Sequence, residues 1–430
     1  MRKRTRYLLL LVGFIFFLIF APIIVLYVRG VAYDFKQGRF VKTGIFAIKT
    51  NPTHLDVFIN GELKQKKEGD IKFLLPGEYE LQLHKEGYFN WQKRLTIYEG
   101  KVTWASPQPY KIHLLKQNSP TNLAQDVLDF YLNDFKLVYL TKNSINIGSI
   151  NGERADLILP KSVNTILTSD NNNSFLLTNS DSTTNKPVVL FFNTDTKLFK
   201  DLSDVFISIP KYLTLDENQV YYLDDSSLIA YDILTKSKKI LLENIKAFNF
   251  ENNSLYYVQQ KNNINSLNIS NSSFTQNQVL VINLPEFSSG QIIITFDKQI
   301  LILADGNLYK ANNTLEKIAD NIINFNFDQL NSNTSILHLG QFDYYNPSSQ
   351  NLSFVTRTSE EIKNLVVKNN IGYAFFINNT GLNAIELDTR DKQNQYLLSQ
   401  GTEIKKFRIY NSEQNLIFLD QTSLKNLELR

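Results

Sequence analysis

Four histidines and no cysteine make up the soft-ligand inventory of this 430-residue chain. His54, His84, His113 and His338 stand far apart, so no pair has the His-x-x-x-His spacing that puts two imidazoles on one metal ion. Without cysteine there are no disulfides, thiolate zinc sites, iron–sulfur clusters, cysteine nucleophiles or lipidated lipoprotein cysteine. Asp170-Asn171-Asn172-Asn173 has the oxygen ligands that begin a calcium loop. It lacks the glycine at the sixth position and the closing bidentate glutamate, and so reads as a hairpin tip. No nucleophile elbow, phosphate-binding glycine loop or dinucleotide fingerprint occurs. No catalytic, cofactor-binding or metal-binding residue is therefore assigned, no cofactor is expected, and the chain is read as a non-enzyme. What remains is stacking and charge. Tyr88, Trp91 and Trp104, two of them the only tryptophans, lie in a stretch where 12 Lys and Arg face eight acids. Such rings could lie against sugar units of an anionic envelope polysaccharide. The reading that the size of so small a domain favours is that they are packing residues of its core.

Charge is divided unevenly along the chain. Residues 1–39 carry seven Lys and Arg against one acid, residues 40–116 twelve against eight, and residues 117–430 twenty-six against thirty-three. The largest part is acidic and gains nothing by displacing counterions from phosphates, so nucleic acid is excluded as a partner.

The basic N-terminal part surrounds an apolar segment. Tyr7 to Val28 is 22 positions without a charge. At 1.5 Å per residue it reaches about 33 Å, enough to cross a bilayer core. Tyr7 and Tyr27 sit where interfacial aromatics belong, and Pro22 permits a kink. A cleaved signal peptide is the alternative, with Gly30-Val31-Ala32 as the small-x-small site and the cut after Ala32; secretory apolar regions are shorter, about 7 to 15 residues, which favours an uncleaved anchor. Arg2, Lys3, Arg4 and Arg6 precede the span, and Arg29, Lys36, Arg39 and Lys42 follow it. The denser N-terminal cluster places the tail, residues 1–6, in the cytoplasm and residues 29–430 outside it.

After a linker over 29–42, the segment 43–116 alternates apolar and polar residues in short runs, as in Asp56-Val57-Phe58-Ile59 and Arg94-Leu95-Thr96-Ile97-Tyr98. Period 2 means half-buried strands. Turns fall at Asn60-Gly61, Pro76-Gly77, Glu86-Gly87 and Glu99-Gly100, which predicts a small antiparallel β-sandwich. Asn51-Pro52, Ile59-Asn60-Gly61, Leu75-Pro76-Gly77-Glu78-Tyr79, Glu86-Gly87-Tyr88 and Trp91 together resemble a PEGA domain, a β-sandwich module of bacterial and archaeal envelope proteins. Thr53-His54-Leu55 stands where that family usually has an acidic-Gly-Ala run. The resemblance implies an extracytoplasmic location rather than an activity.

From 117 to 430 a unit recurs: an apolar strand, a turn rich in Asn, Asp and Ser, and an aromatic-rich strand. Units begin near 127, 165, 212, 247, 292, 323, 366 and 407, at intervals averaging 40 residues. Propeller blades repeat every ~40–45 residues, so a β-propeller is expected rather than two sandwiches. Eight blades are favoured over seven. The last unit has only three strands, and Thr121–Ala124 is expected to supply the fourth. The chain has 48 asparagines, which suit turns because Asn tolerates the left-handed region.

The fold class is thus all-β behind one transmembrane helix. The function expected is that of a single-pass, extracytoplasmic binding or scaffolding protein, held to the lipid bilayer by its helix. The propeller would be the interaction head for a protein or polysaccharide partner and the PEGA-like module a spacer. A membrane-anchored propeller hydrolase acting on glycans, with carboxylates converging from separate blades, is one alternative. A transmembrane sensor is another, although a six-residue tail holds no output domain.

Overall fold

The structure is a computed structural model and describes residues 3–430 except 107–110, 134–135, 151, 169–172, 180–186, 207, 210–212, 216–217, 252, 272–275, 296, 313, 329–332 and 411. Asp170, Asn171 and Asn172 of the calcium-like run, Tyr212 of the third repeat and Arg2 lie outside the described residues.

The apolar segment forms α1, Lys3–Val28, with Pro22 inside it. Its Leu10–Val28 stretch has mean hydropathy 2.9 and is long and apolar enough to cross a membrane. The stretch read as a linker is folded: β1, Val31–Asp34, pairs antiparallel with β2, Arg39–Lys42. Thr43 N donates to Gly30 O at 2.7 Å and closes the hairpin against the end of the helix.

The sandwich follows. Glu62–Gln65, Asp56–Ile59, Gly77–His84 and Trp91–Ile97 form one antiparallel sheet in that spatial order. Asn60 and Gly61 have φ of 49° and 79°, the pair of positive angles that a tight hairpin turn requires. Opposite lie Val102–Trp104, Gly44–Ile48 and Gly69–Leu74, with the pair Ile112–His113 and Thr50–Asn51 beside them. The sandwich is not purely antiparallel. Val102–Trp104 runs parallel to Gly44–Ile48, and Ile112–His113 parallel to Thr50–Asn51. After Ile97 the chain turns at Gly100 and changes sheet, so it meets the opposite layer running in the direction of that layer's first strand. Phe46, Val57, Leu81, Leu83, Trp91 and Leu114 fill the space between the layers.

Beyond residue 120 the described residues form eight four-stranded antiparallel sheets. Seven are continuous in sequence. The eighth takes Ile404–Tyr410, Asn415–Asp420 and Ser423–Glu428 and adds Thr121–Ala124 on the outside, paired through Thr121 to Asn426 and Asn122 to Lys425. Eight apolar clusters each join two successive sheets, and one joins the eighth to the first through Tyr410, Ile417, Leu419, Val127 and Phe130. The domain is propeller-like. Inner strands such as Tyr373–Asn378 and Gly381–Glu386 are buried at every position because neighbouring sheets cover both faces, which is why they read as apolar runs instead of alternating. Outer strands such as Ser237–Leu242 face water.

Asparagine has two roles here. Asn244, Asn253, Asn262, Asn263 and Asn321 sit in turns at positive φ. Others tie first strands together across sheets: Asn249 Nδ2 donates to Ile292 O at 3.0 Å, and Asn326 Nδ2 to Leu365 O at 3.1 Å.

Candidate functional site

The strand Trp91–Ile97 alternates buried and exposed residues, with Trp91, Lys93, Leu95 and Ile97 all on the buried side. A lysine in that register must find an acceptor out of water. Its partners come from the seventh propeller-like sheet, at the end of the strand Gly381–Glu386 and in the loop that follows it. Lys93 Nζ donates to Asp388 O at 2.7 Å and lies 3.1 Å from Glu386 Oε2. Trp91 Nε1 donates to Glu386 Oε1 at 2.8 Å, and Asn394 Nδ2 donates to Glu386 Oε2 at 2.7 Å and to Gln92 O at 3.1 Å. Burial pushes the Glu386 carboxyl up, while Lys93, Trp91 and Asn394 pull it back toward the ionised form.

Around this charged centre the contact is continuous. Arg390 donates to Trp104 O at 2.9 Å and Ala105 O at 2.7 Å, and its other face pairs with Asp388 at 2.8 Å. Asp391 Oδ2 accepts from Arg94 N at 2.6 Å, Tyr396 donates its hydroxyl to Asn90 O at 3.0 Å, and the Phe89 and Tyr396 rings stack at 4.8 Å. Leu115, leaving the sandwich, is buried in the cluster of the seventh and eighth sheets. The two domains therefore share one desolvated junction.

A cleft of about 500 Å³ opens beside it, between Lys111 and His113 of the sandwich and Tyr344, Asn346, Ser349 and Asn370 of the sixth and seventh sheets. His113 Nδ1 lies 3.1 Å from Arg430 Nη1. Burial, then the charges of Arg430 and Lys111, hold the His113 imidazole down to about 4, so it is neutral at physiological pH and accepts from the guanidinium. A smaller cavity of about 230 Å³ lies among the first strands of the sixth to eighth sheets, lined by Asn324, Asn326, Lys363 and Arg408. Nearby, Lys406 pairs with Asp129, whose Oδ2 also accepts from Ile166 N at 2.8 Å.

The candidate aromatic contacts fall in different surroundings. Trp91 is 1% exposed and its ring belongs to the sandwich core, so it has no free face for a polymer. Tyr88 is half-buried and packs on the same core from outside. Trp104 is half-buried with Lys49 Nζ 5.1 Å above its ring. Sequence reasoning missed the Lys93–Glu386 centre, yet one signal was present: in Trp91-Gln92-Lys93-Arg94-Leu95-Thr96-Ile97 the lysine falls on the apolar side of the alternation.

Comparison with known proteins adds the following. Residues 43–108 match the family model of the PEGA domain. No curated protein matches the chain. Among solved structures, similar ones include a eukaryotic initiation factor, with 13% identity over 73% of this chain and 88% of that one and a TM-score of 0.49. PorZ, a surface component of the type-IX secretion system of Porphyromonas gingivalis, shows 12% identity over 69% of this chain and 42% of its own, with a TM-score of 0.40. Dipeptidyl peptidase 4 of the same organism shows 11% identity over 70% and 56%, with a TM-score of 0.45.

Proposed function

We propose that this PEGA-bearing chain is a membrane-anchored scaffold of the cell envelope, in which the sandwich holds the propeller-like head at a set angle for a partner outside the cytoplasm. In this reading α1 spans the bilayer, the eight sheets are eight blades, and the cleft beside the junction is the head's contact surface. Tyr88 and Trp104 remain candidates for contact with an envelope polysaccharide. The observation that carries the reading is the buried Lys93–Glu386 pair with Trp91 bonded to it. A passive spacer needs no desolvated charge at its joint, because such a pair stabilises little and serves mainly to select one arrangement.

The test places a photo-crosslinking residue at Ser349 or Lys111, both exposed beside the cleft, and at exposed Ile158 on the first sheet as a control, in the full chain in its native cells. Discrete protein adducts at the cleft positions and none at Ile158 are expected. Uniform adducts at all three positions, or none at any, overturn the scaffold reading.

A further inference from the structure

α1 ends at Val28, and the chain turns at Gly30, φ 69°, directly into the β1–β2 hairpin. The register places Tyr33 opposite Phe40 on one face, while Val41 on the other face is 1% exposed against the body of the protein. Phe35 at the tip is 87% exposed, Phe40 61% and Tyr33 41%. The three rings touch, with Tyr33 5.1 Å from both phenylalanines. Tyr27, on the last turn of α1, stacks on Phe73 of the sandwich at 4.6 Å. A hairpin with four-residue strands has no core of its own to justify three exposed rings.

The exposed charges of the hairpin itself are all basic, and Glu99 of the sandwich meets it at Lys42, where its Oε1 accepts from the backbone N at 3.1 Å. Arg29, Lys36, Arg39 and Lys42 are exposed, and Lys72 is exposed next to Phe73. The only acid of the hairpin, Asp34, is buried and spent on the turn, accepting from Lys36 N at 2.8 Å and Gln37 N at 3.2 Å. Aromatic rings and cations side by side, at the end of an apolar helix, match the bilayer's headgroup layer, where ring bodies meet acyl chains and cations meet phosphates.

We propose that the β1–β2 hairpin is a second membrane contact, seated in the headgroup layer and binding anionic phospholipid through Arg29, Lys36, Arg39 and Lys42. This rests on the anchor reading of α1. It makes residues 29–42 a foot that limits the tilt of the sandwich on the membrane.

The chain has no native cysteine, so a single introduced thiol can be labelled without background. Gln37→Cys at the hairpin tip, Phe16→Cys within α1 and Leu339→Cys on the 90%-exposed Leu339 of the sixth sheet each carry an environment-sensitive fluorophore in the full chain. The variants are reconstituted in vesicles of phosphatidylcholine and phosphatidylglycerol containing lipids brominated both close to the headgroup, at the depth of the hairpin, and near the acyl-chain ends, at the depth of position 16. The expected result is quenching at 16 and 37 and none at 339, with the effect at 37 falling at least twofold in vesicles of phosphatidylcholine alone or in a Lys36→Gln/Arg39→Gln background. Quenching at 16 without quenching at 37 overturns the foot and leaves the anchor standing. No quenching at either overturns the anchor reading and the foot with it. Quenching at 37 that ignores lipid charge overturns the anionic-lipid assignment. A fluorophore at 37 shielded in detergent, in a chain that runs as a dimer, assigns the hairpin to a second copy and overturns the proposal.

Discussion

His113 and the Lys93–Glu386 pair each tie stability to a single proton or charge. His113 is held neutral down to about 4 by burial and by Arg430 and Lys111, whereas in the unfolded chain it titrates near its ordinary value of about 6.5. Between those two values the unfolded state takes a proton that the folded state refuses, so the stabilisation is complete above about 6.5 and is lost as pH falls toward 4. His113→Gln keeps an acceptor for Arg430 but does not titrate. It is expected to remove up to about 3 kcal/mol of the acid-side loss, measured by denaturant unfolding at a series of pH values. For the buried pair, Lys93→Met leaves Glu386 desolvated without its cation and is expected to cost about 3–5 kcal/mol. Adding Glu386→Gln removes the stranded charge and keeps one acceptor oxygen, enough for Trp91 Nε1 but not for Asn394 Nδ2 as well, so the double variant should still unfold at higher denaturant than Lys93→Met alone. Strictly additive losses would show that the two groups are not coupled.

Turns and edges decide the outcome for the strands. The tight connection before Gly381–Glu386 is built by Asn378, whose Oδ1 accepts from Thr380 N at 3.0 Å, Thr380 Oγ1 at 2.7 Å and Asn383 Nδ2 at 2.8 Å. It leaves Gly381 at φ 142°, with Ser399 O where a Cβ would go and Gly401 N 3.0 Å from that point. Gly381→Ala should therefore cost at least about 1–3 kcal/mol, read as a lower unfolding midpoint, because the obstacle is backbone and cannot rotate away. The outer strand Thr121–Ala124 is the edge on which the eighth sheet depends, and Leu123 packs against the cluster that joins the eighth sheet to the first. Leu123→Asp puts a charge into that seam and is expected to lower the melting temperature by roughly 5 °C in a thermal scan of the full chain. An unchanged melting temperature would mean that the seam does not hold the ends of the domain together.

The whole molecule is a chain of sheets whose apolar clusters pass from each to the next, with the sandwich joined at the seventh and eighth through Trp91, Lys93 and Leu115. Strands more than 290 residues apart in sequence meet there, as Trp91 and Glu386 do with a separation of 295. If α1 is an anchor with its tail in the cytoplasm, protease added to intact spheroplasts should digest residues 30–430 and spare the N-terminal tail, as followed by terminus-specific antibodies. Protection of the head would reverse the orientation. A single-particle reconstruction of the full chain is expected to show eight blades around the head axis, and seven would place Thr121–Ala124 elsewhere.

The alternation of Asp56–Ile59 and Trp91–Ile97, the Asn60-Gly61 turn, the repeat of ~40 residues and the uncharged run to Val28 were all legible in the sequence. Each is a local pattern: a strand's period, a turn's positive φ and a helix's apolarity depend on residues a few positions apart. The pairing of Thr121–Ala124 with the C-terminal strand could be inferred as well, because an unpaired edge has only one complement left in the repeat. The parallel pairings of the sandwich, the folding of 29–42 as a hairpin and the Lys93–Glu386 centre were decided by tertiary structure alone. Lys93 occupies an inward register and announces that it needs a partner, but no periodicity says which of the acids downstream supplies it. The docking of the sandwich on the seventh sheet brings that inward lysine to the carboxylate at the end of a covered strand, and their meeting out of water makes the junction.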